Sequence, residues 1–140
     1  MKVSYPGIVS IGYLLAENLP ANTTYRALAG IPIHLFLRPI TIPLSGMPEC
    51  VVEQTNENNG STESLTLTFN SALRLPRGKA LAFVVKDANN RSWLIGQLER
   101  PHLAINSTQQ TGTPEGSPAV YVYEVKQNAP ICYKPCKMMV

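Results

Sequence analysis

Apolar and polar positions alternate with a period of two in segment after segment of this chain, while the 3.6-residue recurrence of an amphipathic helix is nearly absent. Alternation sends successive side chains to opposite faces of a strand. It predicts strands over residues 31–44, 50–55, 64–69, 80–87, 92–98, 103–107 and 119–126, and an N-terminal strand around 9–15. A single helical turn is placed at 23–28. Pro32, Pro39 and Pro43 each remove a ladder donor, which confines 31–44 to a sheet edge or an irregular connection. Turn-forming clusters at 56–62, 75–78 and 111–118 join neighbouring strands over short gaps and favour antiparallel hairpins. The expected fold is therefore all-β, an antiparallel sandwich or partly open barrel. Its 140 residues match one domain over 1–140. Segments 1–7 and 128–140 carry little alternation and are expected as extended terminal arms.

The stretch 79–101, KALAFVVKDANNRSWLIGQLERP, reads as a hairpin. With Asn89 and Asn90 as a two-residue type I′ loop, Val85 faces Leu94, Phe83 faces Gly96 and Leu81 faces Leu98 on one apolar face. The Phe83 ring would then lie over the glycine backbone. The opposite face pairs Ala82 with Gln97, Val84 with Ile95, and Lys86 with Trp93. Either the rest of the chain covers this second face or another subunit does, and Trp93 is the residue type most enriched at interface hot spots.

Charged residues make up 15% of the chain, against roughly 25% on average, so Asn, Thr, Ser and Gln supply much of the polar surface. Such neutrality suits secreted proteins and subunits packed against neighbours. A net charge of +3 gives no case for nucleic-acid binding. Three cysteines, Cys50, Cys132 and Cys136, exclude a fully paired disulfide framework and favour a reducing compartment. With His34 and His102 remote in sequence, no zinc-ligand spacing appears. No run approaches membrane-spanning length. The apolar stretch 8–16 is interrupted by Gly12 and preceded by Pro6 and Gly7, and reads as mature structure rather than a signal peptide. Asn22, Asn59, Asn90 and Asn106 head glycosylation sequons that matter only in a eukaryotic secretory path.

The search for catalytic chemistry ends on bland readings. His34 stands among Leu35 and Phe36 and His102 follows Pro101, neither near a nucleophile in sequence. Carboxylates are scattered, and 112–116 (GTPEG) lacks the lysine and following helix of a phosphate loop. Tyr121 and Tyr123 share one strand face with Val125 and could stack on a sugar or base, but no basic groove is legible beside them. No catalytic, cofactor or metal residue is assigned.

The stretches SYPGIVSIGYL (4–14), LPRGKALAFVVKDANNRSWLIGQLERP (75–101) and TGTPEGSPAVYVYEV (111–125) resemble small β-rich structural proteins of tailed bacteriophages and prophages. The resemblance implies a non-enzymatic virion component of tail, neck or capsid surface. Such a subunit forms homo-oligomers and touches other virion proteins, without small-molecule substrate, cofactor, specific nucleic acid or membrane. The expected contacts are the mixed hairpin face, Trp93, Lys86, Val84 and Ile95, and the C-terminal arm with Ile131, Tyr133, Met138 and Met139. The competing class is an exported bacterial carbohydrate- or surface-binding module, with Trp93, Tyr121 or Tyr123 as stacking platforms.

Overall fold

A computed structural model describes residues 2–4, 7–35, 38–46, 48–57, 60–76, 78–98, 102–110 and 120–138. Its strands are β1 (Lys2–Ser4), β2 (Ile8–Leu15), β3 (Ile33–Leu35), β4 (Ile40–Thr41), β5 (Glu49–Glu57), β6 (Gly60–Ser71), β7 (Leu81–Asp87), β8 (Ser92–Ile95), β9 (Ala104–Gln110), β10 (Val120–Ala129) and β11 (Lys134–Met138). A short 3-10 turn, Ala16–Asn18, and one helical stretch, α1 (Thr23–Leu28), separate β2 from β3. The strands form two sheets, a five-stranded one ordered β1-β5-β6-β10-β9 and a six-stranded one ordered β3-β11-β8-β7-β2-β4. One of the two curls into a half-barrel, and the protein is all-β.

The period-two pattern has its physical cause in the space between the sheets. Val52, Leu65, Leu67, Phe69, Tyr123 and Val125 of the first sheet meet Ile11, Leu81, Phe83, Val85 and Ile95 of the second, all buried. Phe69 and Tyr123 are register partners on neighbouring strands and stack at 5.2 Å. Phe69 meets Phe83 across the layers edge-on, with centroids 5.9 Å apart. The prolines of 31–44 act as expected, since β3 and β4 are the two edges of the six-stranded sheet.

The hairpin 79–101 differs from its expected register by one residue. Phe83 opposes Ile95, Val84 opposes Leu94, Val85 opposes Trp93 and Lys86 opposes Ser92. The loop has three residues, Ala88 to Asn90, closed by Asp87 N donating to Arg91 O and Asn90 N donating to Asp87 O. Only Asn90 takes the left-handed conformation, φ 66°. A type I turn followed by one left-handed residue is the next commonest hairpin after the two-residue forms. Here the Asp87 carboxylate selects it by accepting from the amides of both Asn89 and Arg91. The slip moves Trp93 and Ile95 to the face of Phe83 and Val85 and sends Leu94 to the opposite face.

That opposite face is covered by the protein's own chain. Ala82, Val84 and Leu94 pack with Leu14, Leu19, Ile33, Leu35 and Cys136 in a second buried cluster. Gly96 lies against Ala82 rather than under Phe83; an added Cβ would stand 2.9 Å from the Ala82 Cβ, at a backbone φ of 117°. The segment expected as a C-terminal arm is instead β11, an interior strand antiparallel to β8 and parallel to β3. At the other end, β1 adds to the edge of the first sheet by pairing with β5. The cluster at 75–78 does not join neighbours, because β6 and β7 lie in different sheets.

Candidate functional site

Three features of the fold bear chemistry, and the first is the hairpin tip. Asp87 Oδ2 accepts from Trp93 Nε1 at 3.0 Å while Oδ1 takes the two loop amides. The amide of Arg91, then the Trp93 indole, hold the Asp87 carboxyl below its ordinary range, because each donor favours the charged form. Trp93 stacks on Tyr133 at 4.5 Å. The expected contact residues therefore separate. Val84, Ile95 and Tyr133 are buried within the chain, and Trp93 and Ile131 are partly buried. Lys86 is exposed and borders a shallow cavity with Arg38. Met138 lies on the backbone of β11, and Met139 falls outside the described residues. Trp93, with its ring on Tyr133 and its indole donating to Asp87, is a structural anchor rather than an open stacking platform.

The second feature is the β9 edge of the first sheet, which no described strand pairs. β9 carries seven residues, AINSTQQ, with no charge and no proline. The other edge strands, β1, β3 and β4, have three, three and two residues. Natural edges are blunted by brevity, charge, proline or bulges, and β9 has neither brevity nor charge nor proline. Ala104, Asn106, Ser107, Thr108 and Gln109 are exposed along it.

The third feature is a cleft of about 490 Å³ between β9, β10 and the crossing that leads from β6 to β7. Tyr121, Leu103 and Ile105 form an apolar wall, and Arg74, Lys79 and His102 supply basic groups. Tyr123, opposite Phe69 in the core, sends its hydroxyl into the crossing. It donates to Leu73 O at 2.9 Å and accepts from Leu75 N at 3.1 Å. Ser71 Oγ accepts from Leu73 N at 3.0 Å. These bonds fix the residues on both sides of Arg74, whose guanidinium lies 5.9 Å from the centroid of the Tyr121 ring, in cation–π range. The basic groove not legible in the sequence is thus built by a chain crossing that brings residues 74 and 79 beside 121. Of the two tyrosines, Tyr121 remains half-exposed and Tyr123 is buried.

The cysteines and Lys134 are enclosed. Cys50, Cys132 and Cys136 are free and buried. Burial pushes the thiols of Cys50 and Cys136 up to about 12 and that of Cys132 to about 11. Lys134 is fully buried and donates to Gly96 O at 3.2 Å. His34 is half-buried in β3, and the exposed His102 places Nε2 3.2 Å from Leu98 O. Among the described residues no three His, Cys, Asp or Glu side chains gather as a metal would need. No family model, no curated protein and no solved structure matches this chain.

Proposed function

We propose that this protein is a non-enzymatic structural subunit that self-associates through β9. Its setting is a virion of the tailed-phage kind that the sequence resembles, as a tail, neck or capsid-surface component in contact with other virion proteins. The observation that carries the self-association is the unguarded β9 edge. A second copy brought up antiparallel, about a two-fold axis normal to the sheet, sets Ser107 opposite Ser107, Asn106 opposite Thr108 and Ile105 opposite Gln109. Every facing pair is uncharged, so nothing repels, and the hydrogen-bond ladder of the sheet continues across the boundary.

Light scattering on the wild-type chain should show dimers or larger species. The Asn106→Lys/Thr108→Lys double variant places lysine opposite lysine twice and should be monomeric with an unchanged thermal midpoint for the isolated subunit. Wild-type protein that stays monomeric at high concentration would sink the edge reading. Mass spectrometry of particles released by the producing cells checks the virion setting, and absence from every such particle removes it.

A further inference from the structure

We infer that the cleft between β9, β10 and the β6–β7 crossing binds a small organic oxyanion: a carboxylate, sulfate or phosphate carried on a ring or apolar body. Among the described residues its charged lining is of one sign, since Arg74 and Lys79 face it, with the His102 ring beside them, and no described carboxylate does. Neither Arg74 nor Lys79 is ion-paired with any described residue. Glu17 borders a separate, smaller pocket that shares Lys79 and Ala80 with the cleft.

The site is built rather than incidental. An exposed arginine ordinarily samples many rotamers, and ordering it costs entropy when a ligand arrives. Here the Tyr123 hydroxyl grips the backbone on both sides of Arg74, and the Tyr121 ring holds its guanidinium by cation–π attraction. A guanidinium held by one face still presents its N–H edge, the geometry that takes an oxyanion in two parallel bonds. The apolar wall of Leu103, Ile105 and Tyr121 receives the body attached to that group, and about 490 Å³ lies within the range of small-ligand sites. Tyr123 is accordingly a positioning residue and Arg74 the direct contact.

Calorimetric titration of the full chain tests this with four probes: a glucuronate-containing disaccharide, adenosine monophosphate, inorganic phosphate and neutral maltose. One of the two organic anions should bind at least about tenfold more tightly than maltose and than inorganic phosphate, the better of the two naming the source of the anion. Arg74→Ala, at an exposed position, should weaken that binding at least about tenfold without moving the thermal midpoint. Tyr123→Phe keeps the ring in the core but frees the crossing. It should weaken the organic anion, and in the Arg74→Ala background it should add no further loss, a non-additivity that simple loss of folding would not produce. Repeating the titration on the Asn106→Lys/Thr108→Lys variant separates this site from the β9 edge. Maltose binding as tightly as the anions, undiminished binding by Arg74→Ala, or no anion binding below about 10 mM overturns the inference.

Discussion

Trp93 and Tyr133 lie ring on ring, 4.5 Å apart and 16° from parallel, and so fasten the C-terminal strand to the hairpin tip. Stacked pairs of this kind are worth roughly 0.5–1.5 kcal/mol beyond the area they bury. Trp93→Ala removes the stack and the indole bond to Asp87 together, and should cost about 3 kcal/mol in urea unfolding. Deleting residues 129–140 takes away the strand between β3 and β8, so it should abolish the cooperative thermal transition of the isolated chain. A truncated chain that melts like the full one would remove β11 from the sheet.

The Asp87 carboxylate ties three donors to one loop. Its folded pKa is depressed, so its contribution is whole above the ordinary carboxylate value of about 3.9 and is lost as pH falls through the lower folded value. Asp87→Asn turns one oxygen into an NH₂ group; that group either faces the indole N–H, donor against donor, or displaces a loop contact. Thermal midpoints from pH 7 down to about pH 2 should show wild type above the variant, with the gap shrinking only below about pH 4. A gap that stays constant to the lowest pH would show that the charge contributes nothing.

Gly96 tests the hairpin register, and Phe83 tests the packing between the two sheets. Gly96→Ala pushes a methyl to within 2.9 Å of the Ala82 Cβ at a φ that side chains rarely adopt, and should destabilise by roughly 1–3 kcal/mol. Phe83→Ala opens a cavity against Phe69 and should cost roughly 3–5 kcal/mol. Urea midpoints indistinguishable from wild type would refute the packing at either position.

The three buried thiols make alkaline pH a stress on the fold. A thiol whose folded pKa is raised stays protonated while its unfolded form ionises above about pH 8.5, so stability falls with rising pH until the folded value is reached. Each thiol contributes a loss of about 1.4 kcal/mol per pH unit in that window. Cys50→Ala should therefore narrow its stability deficit against wild type between about pH 9 and pH 11. In native protein at neutral pH, a thiol-specific reagent should label none of the three, and all three after unfolding in urea. Rapid native labelling of Cys50 would contradict its burial.

Much of the fold was legible because strand periodicity is a local property. The presence of β2, β5, β6, β7 and β10, the α1 turn and the edge placement of 31–44 follow from residues a few positions apart, while β6 starts four residues earlier and β10 ends three residues later than the alternation marks. The hairpin register was misread because Asn89-Asn90 satisfies a two-residue loop on propensity alone. The choice fell to the Asp87 carboxylate, whose bonds to Asn89 and Arg91 favour one more loop residue.

What the amino-acid order alone determines here is an all-β chain with a low-charge surface, since alternation and composition need no knowledge of neighbours in space. Folding decided the rest. Lys134, Pro135 and Cys136 show no strand pattern in sequence because β11, flanked on both edges by β3 and β8, buries the polar Lys134 on the same face as Cys136, where alternation would call for an apolar residue. Arg74, Lys79, His102 and Tyr121 make a site only because the chain passes from one sheet to the other between β6 and β7. Contacts between residues some 45 positions apart depend on which strands share a core, and no local pattern encodes that pairing.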